Sequence, residues 1–180
     1  LGAASAVPWL AIAAVAIPII SSLFDDGPAD RTANFTTGYG GDPNARRVDT
    51  PFGRTGITDS HWFSGQEMGQ ALDAFILGIA TTDKQIVEQL NLSTDQITAA
   101  RLNLENLNNK TYSFGTEHEG IEGLTEITKD RYSAIFKAVN EDLSLMIANY
   151  DQADEKIGEY ISGAVQLYKA LDNVSEAMPE

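Results

Sequence analysis

Cysteine is absent from all 180 residues, which excludes a disulfide framework and any thiolate metal site. That absence fits the cytosol or a virion. Histidine is nearly absent too. His61 and His118 sit at unrelated places, and no HExxH or paired-histidine spacing offers a zinc site. Basic residues are scarce, 12 against 26 acidic ones, for a formal net charge of −14. DNA binding depends on Lys and Arg displacing condensed counterions, so a body this acidic repels phosphate backbones. We expect no specific nucleic-acid binding. The chain does not open on methionine, so we expect a cleaved start or a piece of a longer polypeptide.

Catalytic signatures are missing as well. The sequence has no GxSxG, no cysteine nucleophile and no GxxxxGK[ST] phosphate loop. Gly38-Tyr39-Gly40-Gly41 runs into Asp42-Pro43, a turn rather than the mouth of a dinucleotide-binding helix. Glu117-His118-Glu119 has metal-ligating residue types, but adjacent side chains point in different directions and zinc takes three or four spaced ligands. Asn34, Asn91, Asn109 and Asn173 each open an N-x-S/T triplet, and without a secretory signal coincidence accounts for them. The expectation is a non-enzyme with no cofactor and no metal.

What is present falls into three unlike stretches. Residues 1–24 carry no charge at all and are long enough to cross a hydrocarbon core of about 30 Å. Alanine dilutes their hydrophobicity, and Pro18 would kink or break a helix begun at Pro8. Three readings stay open for this apolar helical segment: buried or shielded by oligomer partners, conditionally inserted into a membrane, or permanently anchored there. Trp9, Leu10, Ile12, Val15, Ile17, Ile19, Ile20, Leu23 and Phe24 are the candidates for insertion.

Residues 25–60 change character. DDGPAD, TTGYGGDPN and TPFGRTG bring Gly, Pro, Asp and Asn at short intervals, which is turn chemistry. Short extended pieces are expected around 33–37 and 47–52, within an extended strap or linker that gains order from partners. Arg46, Arg47 and Arg54 form the one basic concentration of the chain and are the candidates for docking a partner.

From residue 61 the pattern is helical, and 20 acidic against 8 basic residues give residues 61–180 a charge of about −12. A capping box at Ser64-Gly65-Gln66-Glu67 precedes Met68, Leu72, Phe75, Ile76 and Ile79 on one face. A separate short helix is expected over 83–90. Ser93-Thr94-Asp95-Gln96 repeats the capping box ahead of Ile97, Ala100, Arg101, Leu104 and Leu107. Residues 110–119 read as a polar break. Leu124 to Tyr150 then carries an apolar stripe that predicts one long helix, about 45 Å for thirty residues. Asp151 is placed to cap a final helix bearing Ile157, Tyr160, Ile161, Ala164, Leu167, Tyr168, Leu171 and Val174. The short connection at 149–154 implies an antiparallel helical hairpin. Tyr132, Tyr150, Tyr160 and Tyr168 are expected as packing at the core edge. The fold class is thus mainly α, with an apolar segment (1–24), a strap (25–60) and an acidic helical domain (61–180).

The order of these parts resembles the C-terminal region of the tail tape-measure proteins of long-tailed bacteriophages. PWLAIAAVAIPIISSLF comes first, a segment ending in TPFGRTGITDSHWF follows, and ALDAFILGIATTDKQI and DRYSAIFKAVNEDL lie in the acidic helices. The likeness spans nearly the whole chain and is one of layout and phrase. It implies a virion protein of the tail lumen and tip that contacts hub, distal tail and tube proteins. It also implies a trimer, and passage into the host cell envelope at genome delivery. The long heptad arrays of that family are missing here. An alternative in another class is a pore-forming envelope toxin or effector whose acidic helical domain binds a partner; a lytic enzyme is a third, for which the sequence has no residues.

Overall fold

The computed structural model describes residues 32–37, 46–59, 66–108, 110–113, 121–151 and 157–177. The protein is mostly helical, with a small antiparallel sheet. In chain order the elements are β1 (Thr32–Thr37), β2 (Arg46–Thr50), β3 (Gly53–Asp59), α1 (Gln66–Leu90), α2 (Thr94–Glu105), β4 (Thr111–Ser113), α3 (Ile121–Lys137), α4 (Glu141–Ala148) and α5 (Ile157–Ala177). The residues of the expected apolar segment, and those around Ser64, lie outside the described residues.

The stretch read as a strap is corrected by the structure. Its described parts form three strands of one sheet, ordered β2-β3-β1-β4. The extended pieces expected at 33–37 and 47–52 fall on β1 and on the β2–β3 hairpin. The turn between β2 and β3 is built by Thr50, whose hydroxyl accepts from the Phe52 N–H (3.0 Å) and donates to the Gly53 carbonyl (2.9 Å). Gly53 sits at φ 105°, a conformation that suits glycine. Val48, Phe52 and Ile57 turn into the same core as Phe75 and Ile79 of α1. Phe52 and Ile57 are almost wholly buried, and this burial makes the segment part of the body. β4 also corrects the polar break: Tyr112 pairs with Ala33 and is buried.

α1 is a single helix of 25 residues, so no separate helix starts at 83. Its buried stripe runs Phe75, Ile76, Ile79, Thr82, Asp83, Ile86 and Leu90, a three- and four-residue rhythm that continues through Asp83. The helix stops at Asn91, which takes a left-handed φ of 50°, while the Leu92 N–H reaches back to the Val87 carbonyl. That is the six-to-one bond of a Schellman stop. Ser93 then starts α2 with both bonds of the capping box present, as its sequence predicts.

The long helix expected over 124–150 is broken. α3 ends at Lys137, and Asn140 stands in an extended conformation with its side chain accepting from the Leu143 N–H at 3.0 Å. Asparagine competes well for helix N-caps and poorly for helix interiors. Ser144 donates to the Ser133 carbonyl (2.7 Å) and Ser133 to the Ser144 carbonyl (3.1 Å), fastening α4 back onto α3. α5 packs on α1, α3 and α4. The Tyr150 and Tyr160 rings lie 4.9 Å apart, and the Tyr160 hydroxyl donates to the Met146 carbonyl. The first arm leading into the final helix is therefore the eight residues of α4. Residues 152–156, where the turn of the expected hairpin falls, lie outside the described residues. Tyr150, Tyr160 and Tyr168 edge the core as expected, but Tyr132 lies fully inside it.

Candidate functional site

Three places concentrate polar chemistry among the described residues. The first is a buried clasp. Asp83 of α1 and Arg131 of α3 pair with no exposure of either side chain. Arg131 Nη2 and Nε face the two carboxylate oxygens, Nη1 donates to Thr55 Oγ1 of β3 at 2.9 Å, and the Tyr132 hydroxyl donates to Asp83 Oδ1 at 3.0 Å. Burial alone would lower the Arg131 pKa, and the charge of Asp83, with Tyr132 and the hydrogen bonds of both, together more than reverse this. Burial first, then the same carboxylate, raises the Tyr132 hydroxyl well above its ordinary range. Two helices and the sheet are thus tied at one point. Every reactive group in the clasp is engaged by another, which makes it a fastening.

The second place is a groove of about 250 Å³ between α2 and α3, lined by Asn103, Asn106, Lys110, Asp130, Ser133 and Lys137 among others. Lys110 meets Asp130 at 2.5 Å and lies 5.1 Å over the Tyr112 ring, while Tyr112 donates to Asp130 at 3.0 Å. Burial, then the charge of Asp130, pushes the Tyr112 hydroxyl up, so it stays protonated and is no base. Asn103 spends its amide on the Ala134 carbonyl at 3.0 Å. Lys110 and Asp130 thus answer one another across the groove.

The third is the β2–β3 hairpin, whose two strands carry the three arginines singled out in the sequence. Arg46 and Arg47 stand on β2, and Arg54 on β3 directly opposite Asp49. Arg54 Nε bonds Asp49 Oδ1 at 2.9 Å. That hydrogen bond first, and the guanidinium charge second, hold the Asp49 carboxyl below its usual range. Arg47 is half-buried opposite Gly56. Trp9, Leu10, Ile12, Val15, Ile17, Ile19, Ile20, Leu23 and Phe24, with His61 and His118, lie outside the described residues.

The clasp escaped the sequence reading, although a signal for it exists. Asp83 falls four residues after Ile79, and Arg131 four before Ile135. Each is a charge on an apolar register, and two such charges of opposite sign invite a buried pair.

No protein-family profile matches the chain. No curated protein is significantly similar to it, and no solved structure is either. Among the described residues no three His, Cys, Asp or Glu side chains are grouped to hold a metal ion, and no helix is long and apolar enough to cross a membrane.

Proposed function

We propose that this chain is the C-terminal region of a tail tape-measure protein, a non-catalytic virion component of the tail tip and tube lumen. The observation that carries the reading is the order of its parts: an uncharged apolar run at 1–24, a Gly/Pro/Asp stretch at 25–60 and an acidic body after it. A body of about −12 over residues 61–180 would not hold DNA passing beside it. The apolar run, helical in this reading, would be covered by hub, distal tail and tube proteins or by other copies of the chain, and released toward the host membrane at genome delivery. The three arginines of the hairpin would meet acidic surface on those neighbours.

The same apolar run beside an acidic helical body would also serve a pore-forming envelope toxin with a partner-binding domain. Two measurements separate the readings. Antibody against residues 61–180 should mark the distal end of purified tails, and the polypeptide in those particles should extend upstream into long heptad helices. If the chain is absent from particles and is instead exported with a trafficking domain, the tape-measure reading falls. A peptide of residues 1–26 should permeabilise anionic-lipid vesicles, and its Ile12→Asp, Val15→Asp form should not. An inert native peptide would remove the membrane step and leave the segment as a plug.

A further inference from the structure

Among the described residues β2 is a terminal strand, with β3 on its one paired side. The register says where its backbone groups point. Thr50 pairs with Gly53 across only two intervening residues, and such a pair can be made only by exchanging both backbone hydrogen bonds. Exchanging and non-exchanging pairs alternate along an antiparallel ladder. Val48 and Arg46 therefore also exchange with β3, and the N–H and C=O groups of Arg47 and Asp49 are directed to the far side. Side chains alternate as well. Val48 packs on the core, so Arg47 and Asp49 share the outer face.

The edge reads Arg46-Arg47-Val48-Asp49-Thr50. In antiparallel register about Val48 this segment is complementary to itself. Arg47 of one copy falls opposite Asp49 of the other, and the same match repeats across the axis. Both matched positions are those with outward backbone groups, so two pairs exchange four main-chain bonds between the copies. Asp49, already joined to Arg54 within its own sheet, would stand between two guanidinium groups.

We propose that the chain dimerises through its β2 edges, with Val48 on a twofold axis and two four-stranded sheets joined into one of eight. The contact is isologous, uses main-chain pairing of the strand-addition kind, and covers an edge that folded proteins otherwise protect. It does not rest on the tape-measure reading, and it departs from the threefold grouping which that resemblance implies.

The test is the mass of the full chain in solution by light scattering and sedimentation over a range of concentrations. The expected species has twice the 19.4 kDa of one copy. Asp49→Arg or Arg47→Asp alone puts like charges opposite each other at both pairs, and should weaken the dimer by about tenfold or more. An arginine at 49 would also face Arg54 in its own sheet. The restoring form is therefore the triple exchange, Arg47→Asp with Asp49→Arg and Arg54→Asp, which returns opposite charges to both contacts and should restore the dimer. Asp49→Pro removes a donor aimed only at the second copy and should give a monomer with an unchanged helical circular dichroism spectrum. A native monomer or trimer overturns the proposal. So does a dimer indifferent to both single changes, or a folded triple variant that stays dissociated. None of these outcomes bears on whether the chain is found in phage tails.

Discussion

Arg131 and Asp83 lie 48 positions apart in the sequence and hide their opposite charges wholly against each other, between α3 and α1. Burying two ions costs several kcal/mol each, and the return comes from geometry and from satisfying the remaining donors. Thr55 and Tyr132 do the satisfying. Removing one partner should hurt far more than removing both. Asp83→Ala is expected to cost about 3–5 kcal/mol, because it strands a buried guanidinium. Asp83→Leu combined with Arg131→Met should lie closer to the native protein than either single change. Urea unfolding of the three variants decides this. A shift of under about 1 kcal/mol for Asp83→Ala would mean that water reaches the pair.

The two buried tyrosines give the protein an alkaline limit. Burial and neighbouring carboxylates hold the Tyr132 and Tyr112 hydroxyls above their ordinary value. The folded chain thus keeps protons that the unfolded chain releases near pH 10. Stability from this source is full below about pH 10 and is lost as pH rises beyond it. Urea midpoints should be level from pH 7 to 9 and fall steeply above 10. Tyr132→Phe should lower neutral stability by about 1–3 kcal/mol, since Asp83 loses a donor, and should also flatten the alkaline fall. An unchanged alkaline slope in Tyr132→Phe would assign the limit to other groups.

The helices were legible because their signals are local. The Phe75-Ile76-Ile79 stripe and the Ser93–Gln96 capping box each lie within a few residues, and both appear where the spacing puts them. The sheet was not legible, because its bonds are not local: β1 pairs with β4 through Ala33 and Tyr112, far apart in sequence. Glycine and proline at 51–56 announced turns, and a tight hairpin needs turns as much as a linker does. The break at Asn140 was masked by periodicity, since Val139 and Leu143 stay in step on either side of it. At the candidate site the arginines stood out as the one basic cluster, whereas Asp49, which answers Arg54, was one acid among many. Arg131 and Asp83 failed to register because a charge is read as surface unless its position on the stripe is weighed.

Two helix caps give a direct measure of what starts α2 and α4. Ser93 and Asn140 each satisfy a backbone donor of the first turn that would otherwise face water. Ser93→Ala and Asn140→Ala should each cost about 1 kcal/mol in denaturant melts. Hydrogen exchange separates the two: Asn140→Ala should speed exchange in α4 and leave α2 as it was, and Ser93→Ala should do the reverse. Unchanged exchange in α4 with Asn140→Ala would mean that the Ser133–Ser144 bonds alone hold that helix in place.

The most exacting prediction concerns whether the helical body stands without the hairpin. Phe52 and Ile57 are buried to within 2% of complete, and each such side chain contributes about 1.5–3 kcal/mol by leaving water. Thr55 also takes a hydrogen bond from buried Arg131, whose loss costs about 1–3 kcal/mol. Together these approach the whole stability of an ordinary domain, about 5–15 kcal/mol. A fragment of residues 61–180 is therefore expected to keep helical circular dichroism but to melt broadly, while the full chain melts in one sharp transition. In the full chain, Phe52→Ala should cost about 3–5 kcal/mol, and limited proteolysis should spare residues 46–59. If the fragment instead melts sharply at the native midpoint, the hairpin is an appendage, and a linker is the right description of that stretch.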